Sequence, residues 1–245
     1  MIRVGILTPH AAVGPEVELP MMAPERLLTR VARISRDATA VRDEGPATAV
    51  GGLRALMRPP VLDAAVATLI RDPVDVIGYA STTSAYVSGF TQETAMVSRL
   101  ARLANVPVVA TCASAVAALG VLGVERVALI GAPWFDREFN ELGEAYFRSQ
   151  GFGVVSSVSA DLSQDPRQIE PAAVYEWTVR HMPDAAEAVF IGGNGFRAAG
   201  AIESLEQALG RPVLTSNQVL LWRLLAYADE MFEVRGYGQL FAHRP

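Results

Sequence analysis

The feature that most constrains the fold is that the chain repeats itself in order. RVGILTP at 3–9 matches RVALIGAP at 126–133, VDVIGYAST at 74–82 matches AEAVFIGGN at 186–194, and VPVVATC at 106–112 matches RPVLTSN at 211–217. Each matched piece is a short apolar run closed by small or turn-forming residues, the pattern of a strand buried on both faces. Two copies of one unit are therefore expected, and the repeat sets Ser81 of the first opposite Gly193 of the second.

Strand-like runs fall at 4–8, 74–80, 106–111, 125–131, 187–191 and 211–216, with weaker ones at 28–35 and 153–159. Helix-compatible stretches lie between them at 60–71, 93–104, 113–122, 136–150, 171–181, 198–209 and 218–227. This alternation predicts an α/β protein of two doubly wound, flavodoxin-like halves, each with a parallel four-stranded sheet, related by a pseudo-twofold with a cleft between them. The expected halves are residues 1–122 and 123–225, with the segment 226–245 packing back on the first. Composition agrees: 51% of residues are apolar and only 19% charged, below the roughly 25% of an ordinary globular chain, as double-sided burial of sheets requires.

Several function classes drop out at this stage. Lys and Arg total 21 against 26 Asp and Glu, a formal charge of -5, and no basic cluster marks a nucleic-acid surface. No run reaches the ~18 apolar residues of a membrane span, and the N-terminus lacks a signal-peptide core, so a cytoplasmic protein without nucleic-acid or membrane partners is expected. One cysteine and three scattered histidines suggest neither disulfide nor metal site. The GGNG at 192–195 lacks the spacing of a dinucleotide fingerprint, and no phosphate loop is present, so no cofactor is expected.

Ligands of doubly wound sheets bind beyond the carboxyl ends of the strands. Ser81, Thr82 and Thr83 follow one such end, where hydroxyls and N–H groups hold a carboxylate or a developing enediolate, or else cap the next helix. His10 follows the first strand on the same rim and is a candidate acid/base, with a structural histidine as the alternative. Cys112 ends another strand, as a displaced nucleophile or a buried apolar filler. Gly193, Asn194 and Gly195 form a turn whose amides and Asn194 side chain would approach an anion. Arg197 is read as a carboxylate partner or a solvent-facing residue, and Asn217 as ordering the cleft or capping the last helix. Met21, Met22, Trp177, Trp222 and the stretch 227–232 read as packing.

The segments YASTTSAYVSG at 79–89, IGGNGFRAAGAIESLE at 191–206 and PVLTSNQVLLWRLL at 212–225 resemble the aspartate/glutamate racemase superfamily, in its maleate isomerase and arylmalonate decarboxylase branch. The resemblance implies cofactor-independent isomerase or decarboxylase chemistry on a small mono- or dicarboxylic acid. Such proteins generally use a cysteine after the third strand of each half, decarboxylases only the second; the resemblance places Ser81 and Gly193 at those positions. It also sets Trp134 or Phe135, in GAPWFD at 131–136, where a carboxylate-binding tyrosine often stands, and Ala12, in PHAAVGPEVE at 9–18, where maleate isomerases carry an asparagine. The expected reactive groups are then Ser81 and His10, with Cys112 as a further possibility, and Thr82, Thr83, Trp134, Gly193, Asn194 and Gly195 around the substrate. The alternatives are a catalytically silent carboxylate-binding protein and a hydratase, lyase or hydrolase. The resemblance suggests a monomer or homodimer.

Overall fold

The computed structural model describes residues 1–34, 49–227 and 233–245. The chain runs β1 (Ile2–Thr8), α1 (Pro15–Met22), β2 (Leu27–Arg33), α2 (Ala49–Leu56), α3 (Pro59–Leu69), β3 (Val76–Tyr79), α4 (Thr82–Ser88), α5 (Phe90–Ala104), β4 (Val108–Ala110) and α6 (Thr111–Val121). It then repeats with β5 (Arg126–Gly131), α7 (Arg137–Arg148), β6 (Gly153–Ser159), α8 (Pro171–His181), β7 (Ala188–Ile191), α9 (Ile202–Leu209), β8 (Val213–Thr215) and α10 (Ser216–Leu224). The strands form two parallel four-stranded sheets, ordered β2-β1-β3-β4 and β6-β5-β7-β8. The expected α/β architecture of two similar halves is the one observed.

Burial explains which strands read strongly in sequence. Every residue of the inner strands β3 (VIGY) and β7 (AVFI) is buried, whereas the edge strands β2 (LLTRVAR) and β6 (GVVSSVS) alternate with exposed positions and carry polar residues. The repeat keeps its register across β1–β3–β4 and β5–β7–β8, while the β5–β6 pairing shifts between Val127 and Ala128 where β1–β2 runs unbroken. The Ala80 N–H donates to the Leu7 carbonyl at 2.8 Å and the Gly192 N–H to the Ile130 carbonyl at 2.7 Å, so Ser81 and Gly193 are equivalent positions just past equivalent strands.

Three helices escaped the sequence patterns. In α4, six of seven residues are buried, so no amphipathic period exists to detect. Helix α1 contains Pro20, and α2 contains two glycines. Helices α6 and α10 begin at Thr111 and Ser216, two residues before the expected starts, because each strand passes directly into its helix. The stretch 198–209 divides into a 3-10 turn (Ala199–Ala201) and α9, and 218–227 ends in a 3-10 turn (Leu225–Tyr227). Residue 35 of the weak first-half strand and residues 228–232 lie outside the described residues.

The halves are interlocked through their helices. Helix α4 packs on α7, where Tyr86 lies 5.9 Å from Tyr146 and 6.3 Å from Phe147, measured between ring centres. Helix α10 follows a strand of the second sheet but packs on α6 and against β3 and β4 of the first. The C-terminal segment is fastened by bonds from Gln218 Nε2 to the Tyr237 carbonyl (2.7 Å), Trp222 Nε1 to the His243 carbonyl (2.9 Å) and the Gln239 N–H to Glu206 (2.8 Å). Its Tyr237 hydroxyl donates to the Met21 carbonyl at 3.3 Å. No helix among the described residues is long and apolar enough to cross a membrane.

Candidate active site

The loops after β1, β3, β5 and β7 meet around a cavity of about 270 Å³. The first supplies His10, Ala11 and Ala12, the second Thr82 and Thr83, the third Trp134 and Phe135, the fourth Gly193, Asn194 and Gly195. Gln164 and Pro166, from the segment after β6, complete the wall. The structure thus brings His10, Thr82, Thr83, Trp134, Gly193, Asn194 and Gly195 to one cavity. Ser81 lies against His10 but is fully buried, and neither it nor Cys112 lines the space.

His10 is the only titratable side chain among the described residues that line the cavity. Its Nε2 stands 3.0 Å from Ser81 Oγ and 3.4 Å from Thr83 Oγ1. Ser81 caps α4, accepting the Ser84 N–H at 3.1 Å, and donates its own proton to Ser84 Oγ at 2.8 Å. A hydroxyl has one proton, so His10 Nε2–H is the donor in the His10–Ser81 contact and Nδ1 is left as the imidazole's acceptor. Burial pushes the His10 pKa down from 6.5 to about 4, which makes the ring neutral at physiological pH. Ser81 is therefore a backing group for His10, with its proton engaged away from the imidazole.

Beneath the cavity a buried polar network joins the two halves. The Gly193 N–H is shared between Thr82 Oγ1 (3.0 Å) and Ser216 Oγ (2.8 Å). Asn194 Nδ2 donates both protons, to Thr111 Oγ1 (3.2 Å) and Asn217 Oδ1 (2.8 Å), so its side-chain donors are taken up by protein. Asn217 Nδ2 reaches the Asn194 carbonyl (2.8 Å) and the carboxylate of Glu18 (2.6 Å), whose other oxygen accepts the Ala199 N–H at 2.7 Å. In the TSNQ segment, Thr215 and Gln218 form the capping box of α10, freeing Asn217 to order the cleft. Arg197, in the left-handed region at φ 55°, donates through Nη2 to the Pro166 carbonyl at 2.7 Å, holding the outer wall.

Sequence reasoning did not single out Glu18, Glu93, Ser216 or Gln164. Glu18 sits two residues from Glu16, which is paired with Arg33 at the surface; nothing in PEVELPMM tells the buried glutamate from its neighbour. Burial raises Glu18 to about 7 against hydrogen bonds from Asn217 and Ala199 and the charge of Arg197. Glu93, also raised to about 7 by burial, accepts the Tyr146 hydroxyl across the half boundary. Cys112 is fully buried, its thiol directed to the Thr82 carbonyl at 3.6 Å, and burial with the nearby Glu93 charge pushes it well above the ordinary thiol range. No three His, Cys, Asp or Glu side chains among the described residues are grouped to hold a metal ion.

A family model described as arylmalonate decarboxylase matches residues 59–241. Among solved structures, unliganded arylmalonate decarboxylase superposes with a TM-score of 0.82 at 18% identity, covering 99% of each chain. A variant of the maleate isomerase Iso from Pseudomonas putida with maleate gives 0.84 at 21% identity, covering 98% of this chain and 97% of that one. A mutant of the Nocardia farcinica maleate cis-trans isomerase with a covalently bound succinylcysteine intermediate gives 0.82 at 20%, covering 98% of both. No curated protein shows significant sequence similarity to the chain. The structural likenesses establish a common fold from end to end.

Proposed function

This chain belongs to the arylmalonate decarboxylase family, and on that footing we propose that it is a cofactor-independent enzyme acting on a small mono- or dicarboxylic acid. The reaction is either isomerisation by removal and return of a proton at the carbon next to a carboxylate, or decarboxylation in which CO2 leaves and that carbon is protonated, and it proceeds without the cysteine pair, whose positions we assign to Ser81 and Gly193. The observation that carries this reading is His10, the lone titratable group of the cavity, held by hydroxyls against one wall.

In this reading Thr83 Oγ1, whose hydrogen-bond partner is His10, turns its proton to the substrate carboxylate, and the backbone at Asn194 and Gly195 approaches the same group, the Gly193 N–H being held by Thr82 and Ser216. In isomerisation the neutral imidazole, its ring held by Ser81, takes the proton from carbon through its free nitrogen and returns it as imidazolium; in decarboxylation CO2 leaves and the resulting enediolate takes its proton from solvent water. Trp134, edge-on to Phe196 at 6.2 Å, and Phe135 exclude water from the opposite wall and face the apolar part of the substrate.

The test is proton NMR in deuterated buffer with maleate, aryl- and alkylmalonates and aspartate, scoring isomerisation, loss of carboxyl and deuterium incorporation. His10→Gln is expected to lower turnover by about 10²–10⁴-fold while Cys112→Ser leaves it within a few-fold. Full activity in His10→Gln would remove the assignment. A second reading, a carboxylate-binding protein without turnover, draws on the engagement of Ser81, Thr82 and Asn194 in bonds within the protein. Saturable binding of these acids with no exchange or turnover in the same spectra selects it.

A further inference from the structure

Glu18 is a buried carboxylate with no direct ion pair among the described residues, and the chain of bonds that leaves it ends at the cavity. Each of its oxygens accepts one N–H, from Ala199 and from Asn217 Nδ2. The second proton of Asn217 Nδ2 goes to the Asn194 carbonyl, and Asn217 Oδ1 accepts from Asn194 Nδ2, so the Asn217 amide grips Asn194 at backbone and side chain together. Asn194 in turn accepts from Thr82 Oγ1 at 3.4 Å, a residue of the opposite wall. Glu18 belongs to α1 in the first half, Asn194 and Asn217 to the second, so this carboxylate ties the cavity floor to the other side of the cleft.

We propose that Glu18 is the positioning residue of the cavity floor: through Asn217 it holds the turn Gly193–Gly195 in place, and its ionised form is the one that does so. Both oxygens act as acceptors at short range, which suits a carboxylate; a proton on either would stand against an N–H donor and lengthen one of the two bonds. A carboxylate taken out of water and facing only amide donors is costly to ionise, so it titrates within reach of neutral pH. Burial indeed raises Glu18 to about 7. The groups facing it are Arg197, whose charge favours ionisation, and the Tyr237 phenol on the C-terminal segment; Glu16 of the same helix is occupied by Arg33 of β2. This inference concerns the conformation of the site and stands apart from the reaction assigned to it.

The experiment is a pH series of ¹H–¹⁵N spectra of the whole protein from about pH 5 to 9, above the range in which His10 titrates. In wild type the amides of Gly193 and Gly195 and the side-chain amides of Asn194 and Asn217 are expected to move together with one midpoint well above the ordinary glutamate value. Glu18→Gln is expected to abolish that step. Should Glu18→Gln fail to fold, Asn217→Ala decides: the step is lost at Gly193 and Gly195 and kept at the Ala199 amide. Absence of a step in wild type, its survival in Glu18→Gln, or its survival at Gly193 and Gly195 in Asn217→Ala overturns the proposal. Failure of the His10 reading would show as missing turnover with these spectra unchanged.

Discussion

At Gly193 the backbone itself decides what side chain the site can carry. Its φ of 109° lies where L residues are strained, and an added Cβ would stand 2.9 Å from Ala132 Cβ. Placing a thiol there by Gly193→Cys is expected to cost about 1–3 kcal/mol of stability and to give no thiol-dependent turnover. Urea unfolding beside the exchange assay checks this, and a fully stable variant with a reactive cavity thiol would refute it. The neighbouring residues show how far single positions are legible. His10, Thr82 and Thr83 are readable because each follows a strand end, where doubly wound sheets put their ligands, and Trp134 through the family resemblance of GAPWFD. What each side chain does there was not readable: Ser81 gives its proton to Ser84, Asn194 gives both amide protons to protein, and Cys112 sits behind the Thr82 carbonyl.

Elements carry the coupling between the halves, above all α4. The Ser81 cap starts this helix at the cavity, and Tyr86 on its far side packs into the aromatic cluster of α7. The ring comes so close to α7 that a Cβ on Gly143 would lie 2.7 Å from Tyr86 Cε2. Gly143→Ala is therefore expected to push α4 off α7 and destabilise the protein by about 1–3 kcal/mol. Because α4 also carries Thr82 and Thr83, the variant should weaken the proposed carboxylate binding as well. A denaturation midpoint and binding isotherm equal to wild type would show that α4 is not the coupling element. The long helices α5, α7 and α8 were legible from amphipathic or capping signals, whereas α4 was not, since a helix enclosed on all sides has no face to contrast.

At the scale of the molecule, two buried glutamates and one half-buried histidine among the described residues set the response to pH. Glu18 and Glu93 are raised from 4.5 to about 7, and His10 is lowered from 6.5 to about 4. Between about pH 4.5 and 6.5 the folded protein holds two carboxyl protons that the unfolded chain releases, and lacks one imidazole proton that the unfolded chain binds. The folded state thus carries a net excess of protons, and stability falls as pH rises, continuing to about 7 on the carboxyls alone. Exposed carboxylates lowered by ion pairs, such as Asp165 at about 2, titrate beneath this window. Thermal unfolding should show Tm dropping by several degrees from pH 5 to 7, with a flatter curve in Glu93→Gln; a Tm that climbs over this range would contradict the account. The sequence by itself determined the two-sheet architecture, through a repeated order of apolar runs, and the strand ends around which the cavity forms. Those are local and periodic properties. Only the tertiary structure decided that Glu18 and Glu93 are buried, that Ser81 backs His10, and that Gly193 sits in a conformation closed to other residues. Each of these depends on partners 20 to 200 positions away, such as Asn217 for Glu18 at a separation of 199, and no short stretch of sequence records which distant donor or wall a side chain will meet.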